Sequence, residues 1–469
     1  MAATSRVDAC GADALHTLVI EHLEHVGIDG DIVSLLRAEL EGRGQHAPGS
    51  SLYALHRFAS EGRVSVSMRG LAGPLCEVEA GTSMSARELK AEVESRTGIP
   101  SHEQVLLRNG RQMQDADILA AHCVSPLDAA ITLVRVRAPK LFMIGGEDHE
   151  EKSLQSMELF DPASGAWERL PSMLTARYNF VSAVINGNIY VVGGQDNYDF
   201  FSTAEVFEIE TGEWRSLPPM QTPRTNCTSA LIGEKLFLVG GDNGDQALSS
   251  VEAFDAATDT WEQPPSMSTA RWSTASALLD DRLYVVGGDN GDDCFACAEA
   301  FDTTACVWHT LPDMRCRRFG LQCASLAGKI FAIGGFDGQE VLPSVEAFDP
   351  CSGSWHMLHS MFAARTRAVS AVVGGRLYVF GGSNGDDGLA SCEVYDPACK
   401  LWVPLPRTDV PRVNSALIAA DGKLYMLGGH DGDEALRKAE VFDVASGTWN
   451  SFPPLLTPRN KASAAMLDC

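Results

Sequence analysis

A chain of 469 residues with 45% hydrophobic content has apolar material for several packed domains. Its net charge of −25 excludes nucleic acid and anionic membrane as the main partner, since both repel an acidic surface. No window approaches the ~20 apolar residues of a spanning helix, and 13 scattered cysteines fit reduced thiols of cytosol or nucleus rather than a disulfide framework.

Residues 1–62 read as a helical N-terminal segment. "LHTLVIEHLEHVGIDGDIVSLLRAEL" sets Leu15, Leu18, Val19 and Leu23, then Ile32, Leu35 and Leu36, on the apolar faces of two helices broken at Gly27. The order Leu15, Leu18, Val19, Leu23, Gly27, Ile28 resembles a LisH motif, without the aromatics usual at His22 and Ile28. That resemblance implies a homodimer through residues 13–42; an ordinary helical hairpin is the alternative.

Residues 63–137 open with the hairpin "RVSVSMRGLAGPLCEVEAG" and continue into an amphipathic helix with Leu89 and Val93 four apart. A stop at "TGIP", short strands and the closing strand "ITLVRVR" complete the unit. This order, with Gln104, Leu106, Leu107, Gly110 and Asp115, resembles ubiquitin and implies a β-grasp domain. No diglycine follows the closing strand and Lys90 is the only lysine, so a conjugated modifier is not expected and an in-line binding module is. The resemblance implies an exposed apolar patch at Leu71, Leu107 and Val134, with core packing the alternative for each. It also implies a ubiquitin receptor or the proteasome as partner.

Residues 140–469 repeat themselves. Trp167, Trp214, Trp261, Trp308, Trp355, Trp402 and Trp449 stand 47 apart, and a Glu recurs nine residues before each, from Glu158 to Glu440. An Arg recurs ten residues after each, from Arg177 to Arg459, and a glycine doublet precedes each, ending at Gly146, Gly194, Gly241, Gly288, Gly335, Gly382 and Gly429. One doublet interval, the first, is 48 residues rather than 47. Each unit holds four short β-rich runs separated by turn signals, and four-stranded sheets repeated radially make a propeller. The doublet, the acid and aromatic, and the Trp at this period resemble the kelch repeat. The expected fold is therefore multidomain: an all-β seven-bladed kelch propeller over 140–469, preceded by the ubiquitin-like domain (63–137) and the helical segment (1–62). An unpartnered strand after Trp449 and a missing one before Lys140 predict that residues 459–467 complete the first blade.

Residues present in every unit serve what every blade needs, so function is sought where the units differ. With strands A to D counted outward, the B–C and D–A loops share one face. Glu147, Gln195, Asp242, Asp289, Phe336, Ser383 and His430 follow the doublets. Tyr178, Thr225, Trp272, Phe319, Thr366, Val413 and Asn460 follow the arginines, with Arg367 and Lys461 among the next residues. The kelch resemblance implies a partner protein on this face. The partner-binding candidates are Tyr178, Trp272, Phe319, Phe336, Arg367, His430, Asp242 and Asp289. Residues 140–469 carry 24 Lys/Arg against 44 Asp/Glu, and the loops are acid-rich, which favours a client with a basic segment or cations, with simple solubility the alternative.

No catalytic residue, metal or cofactor is expected. "DNGDD" lacks the spaced ligands of a calcium loop, and "CFAC" (294–297) lacks the second pair of a zinc site. The rival is a copper oxidase of the galactose-oxidase kind, which some kelch rings are; it would draw on His149, His430, Tyr178 and Tyr198. A non-enzymatic adaptor is the expected function.

Overall fold

The computed structural model describes residues 52–60, 63–70, 73–81, 84–97, 101, 104–108, 111–112, 131–135, 140–162 and 164–467. They fall into two compact units that divide at residue 140.

In the first unit, β1 (Leu52–Ser60), β2 (Arg63–Gly70), β3 (Gly73–Gly81), β4 (Gln104–Arg108), β5 (Arg111–Gln112) and β6 (Ile131–Arg135) form one sheet. Its order is β3-β2-β1-β6-β4-β5. Helix α1 (Ala86–Thr97) starts at a capping box: Ser85 Oγ accepts from the Glu88 amide at 3.3 Å and Glu88 Oε2 accepts from the Ser85 amide at 2.8 Å. The Ser85 amide, and after it the Ser85 hydroxyl donating to the same Oε2 at 2.9 Å, hold the exposed Glu88 carboxyl below its usual range. The helix buries Ala86, Leu89 and Val93, as its spacing predicts. One element departs from expectation. The sequence points to helix through residue 62, yet Leu52–Ser60 is a strand, antiparallel to both β2 and β6. "LYALHRFAS" spaces Leu52, Leu55 and Ala59 as a helix would, and pairing with the β-prone "RVSVSM" overrides that local pattern. Residues 13–42 and Leu71 lie outside the described residues, as do the side chains of Leu107 and Val134.

The second unit is seven four-stranded antiparallel sheets. Six are continuous in sequence, as in blade 2: Val181–Ile185, Asn188–Val192, Ala204–Glu208 and Glu213–Leu217. Blade 1 is not. Its strand A is Ser463–Leu467, paired antiparallel with Lys140–Ile144, so the ring closes as the register predicts. Ser463 also touches the next blade, its Oγ 2.7 Å from Ser182 Oγ.

Burial explains the strand order. B strands are apolar and buried along nearly their whole length, while D strands alternate outward to solvent. The core lies between blades: Val192, Val206 and Leu217 of blade 2 pack with Leu236, Leu238 and Phe254 of blade 3. The seam is built alike, from Leu141, Met143 and Trp167 against Ile418, Leu427 and Leu455. Every repeating Trp Nε1 also donates to a backbone carbonyl of the preceding blade, from Trp214 to Pro171 (2.9 Å) to Trp167 to Pro453 (2.8 Å). The doublets need glycine. At Gly193 (φ +66°) a Cβ would sit 2.5 Å from Arg224 O, and at Gly194 (φ +84°) 2.7 Å from Tyr178 O.

Candidate functional site

The repeating arginines form a buried collar beneath the loop face. Arg177 shows the pattern: Nη1 donates to Gly193 O (2.6 Å) and Thr203 O (3.1 Å), and Nη2 to Glu205 Oε1 (2.6 Å). Its own carbonyl accepts from Gly146 N of the previous blade at 3.0 Å. One residue thus joins two blades. The other six repeat this, and Arg459 does it across the seam, with Nη2 2.8 Å from Glu158 Oε1 and its carbonyl accepting from Gly429 N. No collar arginine is more than 1% exposed. Burial pulls the Arg459 guanidinium below the usual arginine range, and Glu158 opposes that shift. These recurring charges therefore serve the scaffold, since buried cations survive only when paired and hydrogen-bonded.

One residue further along the chain, the mouth of the ring begins. Each residue after a collar arginine bridges to the residue after a doublet: Tyr178 to Gln195, Thr225 to Asp242, Trp272 to Asp289, Phe319 to Phe336, Val413 to His430. The next residue inward takes a left-handed conformation in all seven blades, with φ between +47° and +59°, including Ser273, Arg367 and Lys461. Several of these are chained across blades: Ser273 N donates to Asn226 O, Gly320 N to Ser273 O and Arg367 N to Gly320 O, at 3.0–3.1 Å. A hydrogen-bonded backbone arc from Asn226 to Arg367 thus frames part of the opening and fixes what its side chains present.

The predicted residues occupy this mouth to different depths. Trp272, Phe319, Phe336, His430 and Asp242 are half-buried, and Arg367 is exposed. Phe319 and Phe336 meet edge to face at 5.4 Å between centroids. Tyr178 is buried: its hydroxyl accepts from Gln195 Nε2 at 2.9 Å, and Lys461 Nζ lies 4.8 Å over its ring. Asp289 is buried too. Its Oδ1 accepts from Gly291 N, while Oδ2 has no partner among the described residues. Desolvation pushes this carboxyl above its usual range, the Gly291 bond opposes that, and neighbouring Asp242 adds to it.

Three exposed apolar side chains on the same face escaped the sequence pattern as contact residues: Leu174 (59% exposed) and Phe362 (72%) on D–A loops and Tyr198 (90%) on a B–C loop. Leu174 and Phe362 share one position, three before a collar arginine, where the other blades carry Gln221, Ser268, Arg315, Asp409 and Leu456. Their amides are held by the collar glutamates, which leaves the side chains facing out.

Part of the acidic rim has a structural duty. The second residue after each doublet is Asp or Asn in all seven blades, and its Oδ1 accepts from two amides of its own loop, as Asn290 does from Asp292 and Asp293. Exposed acids such as Asp245, Asp292, Asp293 and Glu340 remain for solvent or a partner. The cysteines are dispersed in role. Cys297 Sγ accepts from Arg271 Nη2 at 3.0 Å, in the slot where Ser250, Ser344 and Ser391 serve their collar arginines. Burial pushes the Cys294 thiol up to about 11 and the Cys323 thiol up to about 12, which leaves little thiolate at neutral pH. His149, Tyr178 and His430 line one cavity at the seam, but among the described residues no group of three His, Cys, Asp or Glu side chains is arranged to hold a metal ion.

The KLHDC2/KLHL20/DRC7 Kelch-repeats domain matches residues 124–288 and 315–468, and the Kelch motif matches 273–315. The chain belongs to this kelch family. Its kelch relatives among curated proteins include Kelch-like ECH-associated protein 1B of Danio rerio, 36% identical over 69 residues, or 14% of this chain and 11% of that protein. Influenza virus NS1A-binding protein homolog of Mus musculus is 41% identical over 59 residues, 13% of this chain and 9% of that protein. An F-box/kelch-repeat protein of Arabidopsis thaliana is 31% identical over 58 residues, covering 12% and 15%. The chain thus spans only 9–15% of the length of these kelch relatives.

Proposed function

We propose that the chain is a non-enzymatic protein-interaction adaptor whose kelch ring grips a partner on the loop face. One contrast carries the reading: the buried collar is Arg in seven blades of seven, while the mouth residue beside it is Tyr, Thr, Trp, Phe, Thr, Val or Asn. Half-buried aromatics held by a rigid frame are the usual anchors of a protein interface. Trp272, Phe319 and Phe336 supply the anchors, with Arg367, His430, Asp242 and Asp289 setting the polarity around them. The exposed acids favour a client with a basic segment. Two relatives are named for association with, or binding of, another protein, which supports a binding role over catalysis.

The first unit extends this reading. A capped helix beside a sheet supports the ubiquitin-like reading, although that sheet also takes in β1 from before residue 63, between β2 and β6. Such a module would join the client to ubiquitin or proteasome machinery in the cytosol or nucleus. Residues 13–42 would supply a homodimer contact. Capture of proteins on the immobilised full chain, identified by mass spectrometry, tests the adaptor reading: Trp272→Ala with Phe319→Ala should weaken it at least tenfold. Capture that persists in this variant, and disappears when the opposite face is mutated, would overturn it.

A further inference from the structure

The one break in the 47-residue repeat falls beside a cavity. Gly146 stands 48 residues before Gly194, and the surplus residue lies between Gly146 and Glu158, in the B–C loop of blade 1. In this loop Glu151 takes a φ of +57°, and the Glu151 carbonyl accepts from Asn197 Nδ2 of the next blade at 2.9 Å. Between the enlarged loop and the loops of blade 7 opens a cavity of about 300 Å³, walled by Glu147, Asp148, Glu151, Asp433, Asn460 and Lys461.

Its wall is set up to receive a hydrogen-bond donor with positive charge. Glu147 is 5% exposed and is neutralised by Lys461, whose Nζ lies 2.9 Å from Glu147 Oε2. Lys461 is thereby spent. Asp148 is engaged by two amides of its own loop, but no cation pairs with Glu151 or Asp433 among the described residues, and both are exposed. Asn460 is more than nine-tenths buried, and its Oδ1 has no hydrogen-bond partner among the described residues. A buried acceptor left unpaired is costly, and a donor that reaches it recovers that cost.

We propose that this seam cavity receives one basic side chain, arginine or lysine, of the partner chain. The Nη or Nζ donors would meet Asn460 Oδ1 after a side-chain adjustment, while Glu151 and Asp433 supply the charge at the rim. The volume suits a single side chain, and Tyr198 stands exposed on the loop next to it, bonded to the rim through Asn197. The inference rests on the loop face being the partner-binding face, and it names the chemistry that face selects.

The probe is N-acetyl-arginine methylamide against its citrulline counterpart, which keeps the shape and removes the charge. Saturation-transfer NMR on the full chain should show contact for the arginine probe and at least fivefold less for citrulline. The signal should fall with added salt. Glu151→Gln with Asp433→Asn, both at exposed positions, should remove the preference while leaving the melting temperature unchanged. Equal transfer from the two probes, or an arginine preference that survives the double variant, would overturn the proposal. Lysine methylamide in place of arginine decides which cation fits better. If the arginine preference holds while protein capture ignores Trp272→Ala and Phe319→Ala, the cavity stands and the aromatic anchors fall. If capture is also lost on mutating the opposite face, the adaptor reading on the loop face falls. Lost preference with aromatic-dependent capture sinks the cavity alone.

Discussion

Arg271 and Trp272 are adjacent in the chain and opposite in kind. Arg271 is fully buried, donates to Gly287 O, Cys297 O, Cys297 Sγ and Glu299, and has a counterpart in every blade. Trp272 is half-buried, has no tryptophan counterpart in any other blade, and is held by backbone bonds alone, its amide donating to Asp289 O at 2.9 Å. The step from collar to mouth is therefore a step from side chains that hold the fold to side chains that the fold holds. Substitutions in the collar should act on stability, and substitutions in the mouth on binding.

The sharpest break of the collar is at the seam. Deleting residues 459–467 removes Arg459 and strand A of blade 1 together, exposing the backbone edge of Lys140–Ile144. The truncated chain should aggregate or melt far below the full chain in a thermal scan; unchanged melting would mean that the ring closes another way. Next in size is Glu346→Ala. Glu346 and Arg318 are both fully buried, 2.8 Å apart, and Glu346 also accepts from the Arg315 and Cys316 amides. Leaving that cation unpaired should cost about 3–5 kcal/mol in denaturant melts. A loss under about 1 kcal/mol would show that water replaces the carboxylate.

The mouth should respond the other way. Trp272→Ala with Phe319→Ala should lower partner capture at least tenfold yet shift stability by only about 1 kcal/mol, since neither side chain belongs to a core between blades. A large loss of stability would erase the distinction between collar and mouth. The smallest effect is expected at Asp289. Its carboxyl is raised above the unfolded value, so the folded state is penalised at neutral pH and relieved as acid protonates it. Asp289→Asn should therefore melt slightly higher than the parent near pH 7, and the difference should vanish as pH falls through the carboxylate range. A gain that grows in acid would reverse the sign and the explanation.

The propeller was legible because its chemistry is written seven times. Doublets, Trp, Glu and Arg at one period fix the blade, and the unmatched strand after Trp449 reveals the closure. The mouth was legible by subtraction, as the positions that vary beside those that do not. What subtraction misses is depth. Tyr178 and Trp272 hold equivalent positions, yet only Tyr178 is buried, because Gln195 and Lys461 happen to flank it. Subtraction also overstates the acids, since the turn-forming Asp and Asn after each doublet differ by one atom but do one job. Cys297 stands in a serine's place, a role that shows only when Arg271 is seen to reach it. Leu52–Ser60 was hidden for a different reason: its state depends on pairing with β2 and β6, of which β6 lies far along the chain.

Closure by a late strand also sets a clock on biosynthesis. Gly145 and the arginine that clasps it are 314 residues apart. At about 5–20 residues per second, roughly 15–60 s pass between the emergence of one and the other. Throughout that interval strand B of the first blade has its outer neighbour but not its inner one, and the nascent ring is an open arc with two unsatisfied ends. A cell making this chain must keep those ends apart from other arcs on the same messenger until the last blade arrives.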